Sequence, residues 1–210
     1  MSSPADGDSP QRWLLISVSL TAGQASLRVH VWRKLRSLGA VYLQASVCLL
    51  PERPEVVQQV RRLADRVRHE GGTARVLQVA LPEAGEQQAL REEFNTARDS
   101  EYAEVLERLP ALSAEIAMER GRGRSTYAEV EESEADLERF RSWLAKIAAR
   151  DYFAAPGGER AREAVATVAE ELAAFEAAAL NAEAPPITRP ALRSVPTSRA
   201  KAAGEHEPRR

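Results

Sequence analysis

Three arginines alternate with glycines in Glu119-Arg120-Gly121-Arg122-Gly123-Arg124-Ser125-Thr126. Arg120, Arg122 and Arg124 place their guanidinium groups on a segment that feeds a helix N-terminus, whose free N–H groups add to the pull on an oxyanion. The acidic run from Glu129 to Glu138 follows at once and supports a second reading, in which carboxylates neutralise the arginines. A second cationic set, Arg28, Arg33, Lys34 and Arg36, lies within one predicted helix and would grip phosphates of nucleic acid in a salt-sensitive way. Its alternative is a solvated helix face, as it is for Arg61, Arg62, Arg66 and Arg68. Arg98-Asp99 and Arg150-Asp151 each set opposite charges side by side near an aromatic residue, which reads as a fixed interhelix ion network rather than a ligand site. The single cysteine, Cys48, falls in an apolar strand and reads as a small core side chain.

No Gly-rich phosphate loop, Ser-His-Asp spacing or metal-ligand cluster accompanies these groups, and His30, His69 and His206 are far apart. Ferredoxin-like CRISPR-associated nucleases place a metal-binding Asp at the end of the first strand, where Ser17-Val18-Ser19 stands here, which disfavours a nuclease of that kind. The expectation is a non-enzymatic protein without metal or cofactor. No run approaches the roughly 18 consecutive apolar residues of a membrane span, and Met1 to Gln11 is polar and acidic. The cytoplasm is the expected location.

The elements that must position these groups follow from periodicity. With 210 residues and 44% apolar content, the chain can bury one sizeable core or two small ones. Residues 1–80 carry 11 Lys and Arg against 6 Asp and Glu, whereas residues 81–150 carry 10 against 16. A basic module therefore precedes an acidic one, free to meet an anion or to pack on its neighbour. Trp13 to Leu20 reads as a buried strand, and Leu27, Val31, Leu35 and Leu38 give the next segment a helical stripe closed by Gly39. Val41–Gln44 and Val47–Leu50 predict a hairpin turning at Ala45-Ser46. Val56, Val60, Leu63 and Val67 stripe a second helix that stops at Gly71-Gly72, and Thr73 to Leu81 is a fourth strand. Strand, helix, strand, strand, helix, strand is the ferredoxin-like βαββαβ order of an α+β domain, spanning residues 12–82. Its helix-free sheet face should need another partner.

Residues 83–182 predict a helical hairpin or bundle packing on that domain or extending from it. Leu90, Phe94, Ala97, Tyr102, Val105 and Leu109 outline a helix that Pro110 should interrupt, with Leu112 and Ile116 continuing the spacing. Gly121 and Gly123 should open a loop, and Thr126-Tyr127-Ala128-Glu129 has capping-box spacing. Leu137, Phe140, Leu144 and Ile147 stripe the next helix. After Pro156-Gly157-Gly158, the residues Ala161, Val165, Val168, Leu172, Phe175 and Ala179 step at near-heptad intervals. That stripe and an open sheet edge point to a homodimer. Residues 1–11 and 183–210 have the composition of a disordered leader and tail.

Particular runs resemble a known family. Trp13-Leu14-Leu15, Val31-Trp32-Arg33-Lys34-Leu35, Leu38 to Gln44 and Val47-Cys48-Leu49-Leu50-Pro51 resemble the opening of the N-terminal domain of ChrB, the chromate-resistance regulator family. Phe94-Asn95 with Ala97-Arg98-Asp99-Ser100-Glu101-Tyr102, the stretch Thr126 to Glu132, and Arg150-Asp151-Tyr152-Phe153 extend the likeness over residues 12–180. Trp32, Arg98, Asp99, Tyr102, Arg150 and Asp151 are the family-motif residues so matched. The resemblance implies a chromate-responsive transcriptional regulator or accessory subunit, with operator DNA and chromate as partners and a first half similar to the phenylacetate repressor family PaaX. Full-length members of the family carry a further C-terminal domain, where this sequence predicts the tail. The other reading is a protein-interaction and dimerisation module that binds no DNA.

Overall fold

A computed structural model describes residues 11–122 and 127–183. Apart from Gln11 and Glu183, the expected leader and tail lie outside the described residues. The architecture is α+β, with one small four-stranded antiparallel sheet and five helices among the described residues. Strand β1 (Arg12–Ser19) leads through helix α1 (Ala25–Ser37) to β2 (Val41–Gln44) and β3 (Val47–Pro51). Helix α2 (Pro54–His69) and β4 (Thr73–Ala80) follow, then α3 (Ala84–Gly121), α4 (Tyr127–Ala148) and α5 (Gly157–Glu183). The sheet order is β2-β3-β1-β4, so the most apolar strands, β1 and β3, are central.

Glycine decides where α1 and α2 end. Gly39 (φ 74°) and Gly71 (φ 83°) adopt the left-handed conformation just past each helix. Their N–H groups bond the carbonyls of Arg36 and Arg68, while Ala40 and Gly72 bond those of Leu35 and Val67. This paired closure satisfies the last helical carbonyls and turns the chain sharply into β2 and β4. Side chains alternate across β1. Leu14 and Ile16 bury against α1 and α2 through Leu27, Val31, Leu35, Val56, Val60 and Val67.

Trp13 points to the opposite face, the one expected to need a partner, and the chain supplies that partner itself. Its ring stacks on Phe94 of α3 at 5.6 Å and lies 5.7 Å from Phe153, which in turn meets Phe94 at 5.6 Å. The start of α3 and the α4–α5 connection thereby dock on the sheet, and Trp13 and Phe94 are part of its core.

Contrary to the sequence expectation, Pro110 does not interrupt α3, which runs unbroken through it for 38 residues. An interior proline costs about 3 kcal/mol. Burial of Val105, Leu109, Leu112 and Ile116 on both sides offsets this, at roughly 1.5–3 kcal/mol per side chain. Proline itself sits on the exposed side, where water can satisfy the freed carbonyl. α3, α4 and α5 enclose a second core containing Tyr102, Leu109, Leu137, Ile147, Val168 and Phe175. Every residue of the near-heptad stripe on α5 is buried there. The stripe is therefore spent within the chain, and self-association loses that motive. No described helix is long and apolar enough to cross a membrane.

Candidate functional site

Two arrangements gather the chemistry. The first is the outer face of α1. Successive residues turn by about 100°, so Arg28, Trp32 and Arg36 form one row with Arg33 beside it, while Lys34 faces the other way. Lys34 Nζ donates to Gln59 Oε1 of α2 at 2.6 Å. Arg28 Nη2 donates to the carbonyls of Leu20 and Thr21 at 3.2 and 3.1 Å, bracing the loop before α1. The Arg36 guanidinium lies 5.1 Å from the centre of the Trp32 ring, a cation–π contact. The structure thus keeps Arg28, Arg33 and Arg36 together as an exposed cationic row and sets Lys34 apart from it.

No carboxylate occurs between Ser9 and Pro51, a stretch that holds Arg12, Arg28, Arg33, Lys34 and Arg36. On α2, by contrast, Arg66 pairs with Glu70 and Arg68 with Asp65. Between α1 and the β2–β3 turn lies a groove of about 520 Å³. Trp32 and Tyr42 form its walls, at 47% and 38% exposure, and Val18, Leu35 and Cys48 form its floor.

Cys48 is buried, and burial pushes its thiol up to about 12. A protonated, enclosed thiol is a poor nucleophile. Native protein at pH 8 should resist iodoacetamide for as long as unfolded protein takes to be labelled fully. The folded thiol holds its proton toward pH 12 while the unfolded chain releases it near 9. Its contribution to stability is therefore intact below pH 9 and lost as pH rises toward 12, by about 1.4 kcal/mol per pH unit. Denaturant unfolding of wild type and Cys48→Ala from pH 8 to 11 checks this, and identical pH slopes would refute it.

The second arrangement joins the two modules. Arg98 stands on the buried stripe of α3, four residues from both Phe94 and Tyr102, and only 6% of it is exposed. Burial lowers its pKa, and the carboxylate of Glu101 opposes that shift. Arg98 Nη2 meets Glu101 Oε1 at 3.0 Å, and Arg150 Nη2 and Nε meet Glu101 Oε2 at 2.6 and 3.1 Å. Tyr102 donates its hydroxyl proton to Asp151 Oδ2 at 3.1 Å, and Asp151 Oδ1 also accepts the N–H of Ala155. Burial first, then the Asp151 carboxylate, pushes the Tyr102 phenol up to about 12. Asp99 Oδ1 accepts the N–H of Gly157 at 2.6 Å, which places a carboxylate at the start of α5, where the helix dipole favours it. Finally, Tyr152 donates to the carbonyl of Leu38 at 2.8 Å.

Five of the six motif residues therefore gather at this junction, with Arg98 and Arg150 held by ion pairs to Glu101, and with Asp99, Tyr102 and Asp151 held by hydrogen bonds, while Trp32 stands apart on α1. Sequence reasoning gave no role to Glu101, which bridges both arginines, and read Gly39 as a helix end without its close approach to Arg98. Glu101 lies one helical turn from Arg98, and that spacing was the available signal. Each carboxylate here is already matched by donors, so the arrangement acts as a clamp.

The arginine–glycine run is built differently from the expectation of a loop. α3 continues to Gly121, so Arg120 is helical, and Arg122 caps the helix with Nη2 3.6 Å from Met118 Sδ. Gly123, Arg124 and Thr126 lie outside the described residues. The pKa of neighbouring Glu119 is raised by desolvation and by Glu129, Glu115 and Glu132. Carboxylates and the negative end of α3 oppose an added anion at this place.

The family model described as "Protein ChrB, N-terminal" matches residues 28–185. Protein ChrB of Cupriavidus metallidurans is 28% identical over 158 residues, covering 69% of this chain and 48% of that protein. The chain thus matches about half the length of this curated relative.

Proposed function

This chain belongs to the ChrB N-terminal family, and from that premise we propose that it serves chromate resistance as a regulator-type protein whose α1 contacts operator DNA. The first module is taken as ferredoxin-like, a reading supported by the element order and by the strand order β2-β3-β1-β4. The observation that carries the DNA contact is the exposed row of Arg28, Arg33 and Arg36 within a stretch that has no carboxylate. Among the described residues none of the three makes an ion pair, so their charge is available to phosphates. Chromate is the effector that the family resemblance implies.

Fluorescence anisotropy with DNA from upstream of its own operon tests the reading. Each phosphate contact contributes about −0.9 to the slope of log affinity against log salt, so replacing the three arginines by alanine should flatten the slope by about 3. Chromate should weaken the complex more than sulfate does. Binding no tighter than to random DNA, with no chromate effect, would favour the second reading. That reading is a protein-interaction module, for which β4 is the relevant observation. It is an eight-residue edge strand without proline, carrying an exposed Leu77, and such edges accept a second copy or another chain.

A further inference from the structure

Large apolar side chains left in water are informative when they converge. Of the exposed ones among the described residues, Val29, Trp32 and Tyr42 all line the groove between α1 and the β2–β3 turn. Its volume of about 520 Å³ falls in the range of small-molecule sites, roughly 300–1,000 Å³. A docked helix or strand would need a longer surface. Polar groups within it are few and unspent: among the described residues the hydroxyls of Tyr42, Ser17, Ser19 and Ser46 have no side-chain hydrogen-bond partner. Burial holds the Tyr42 phenol and the Cys48 thiol protonated, both up to about 12, so the lining carries no negative charge of its own. Cations alone set the sign of the field, with Arg28 in the lining and Arg36 over the outer face of Trp32.

We propose that this groove is a binding site for a small organic anion, with the apolar body of the ligand against Val29, Trp32 and Tyr42 and its acidic group at Arg28. Charge complementarity decides the class, since the lining includes Arg28 and no Asp or Glu. Such a site shares Arg28 with the α1 row assigned to DNA, but its apolar lining by Val29, Trp32 and Tyr42 does not depend on that assignment.

Octanoate is a suitable probe, with octanol and acetate as partners that lack its charge and its apolar body. Trp32 is the exposed one of the three tryptophans, since Trp13 is fully buried and Trp143 packs against the second core, away from the groove. Titration of the full chain should give saturable octanoate binding of one equivalent by calorimetry, with a blue shift of tryptophan emission that Trp32→Phe removes. Octanol should bind more weakly, and acetate should leave the emission unchanged. Arg28→Gln should weaken octanoate by about two- to fivefold, the scale of an exposed ion pair. Val29→Glu, at an exposed position the fold tolerates, should weaken it by at least about tenfold through like-charge repulsion. Unchanged far-ultraviolet circular dichroism of Val29→Glu establishes that this variant is folded. No saturable binding at millimolar octanoate, equal binding of octanol, or equal binding by folded Val29→Glu would each overturn the assignment.

Discussion

Replacing Trp13 by alanine is expected to destabilise the protein by about 3–5 kcal/mol, the range for deleting a fully buried large aromatic ring. Trp13 has no exposed surface, and two other rings, Phe94 and Phe153, pack within 6 Å of it. Deletion leaves a void between the sheet and α3 that the flanking helices cannot close without moving. Phe94→Ala attacks the same contact from the other side. Coupling between the two substitutions should be about 0.5–1.5 kcal/mol, because a stacked pair contributes beyond the area it buries. The second core contains none of these three rings. Urea unfolding of the variants should therefore separate into two transitions, an early one for the sheet module and a later one for the bundle. A loss below 1 kcal/mol for Trp13→Ala, or additive effects of the pair, would show that this cluster does not hold the modules together.

The first module was legible in sequence because its signals are local. Leu27, Val31 and Leu35, then Val56, Val60, Leu63 and Val67, repeat at helical spacing, and every one is buried. Gly39 and Gly71 stand where the left-handed turn requires them. Pairing at the Ala45-Ser46 turn followed from two short β-prone runs, although β2 slips by one residue between Tyr42 and Gln44. What sequence could not supply was long-range competition. Pro110 breaks a helix considered alone, yet α3 packs along α4 and α5 on both sides of it. The stripe of α5 has the spacing of an intermolecular seam, and only the tertiary structure shows that α3 and α4 occupy it.

The candidate sites divide along the same line. Exposure of the α1 arginines follows from its wheel, but the groove beside Trp32 forms only where α1 meets the β2–β3 turn. Ion pairing of Arg98 and Arg150 was legible in the reading of Arg98-Asp99 and Arg150-Asp151 as a fixed interhelix salt-bridge network. Its partners were not, since Glu101 rather than either aspartate meets both guanidinium groups. Arg98 was hidden by the habit of reading charged residues out of apolar stripes, and Ala97 was placed on the stripe instead. Spacing of four residues from Phe94 and from Tyr102 is what puts Arg98 inside.

Arg98→Ala should cost about 3 kcal/mol or more, because it empties a buried position and leaves a void that the surrounding side chains only partly close. Gly39→Ala should approach that loss from the other side of the contact. Gly39 has φ 74°, which a side chain tolerates at roughly 1–2 kcal/mol, and its new methyl would overlap Arg98 Nη1. Combining the two substitutions should cost less than their sum, since alanine at 98 removes the atom that alanine at 39 strikes. Arg98→Met separates stability from specificity. It keeps the volume of the stem, removes the desolvated charge, and leaves Glu101 with Arg150, so its stability should lie within about 1.5 kcal/mol of wild type. If Arg98→Met instead unfolds the protein as Arg98→Ala does, the charge itself is indispensable to stability. If all three variants stay within 1 kcal/mol of wild type in denaturant unfolding, the junction is not a clamp. Between those outcomes, a stable Arg98→Met whose tryptophan environment or helix content differs from wild type would assign Arg98 to fixing the angle at which α3 leaves the sheet. That angle determines where α4 and α5 stand relative to the cationic face of α1.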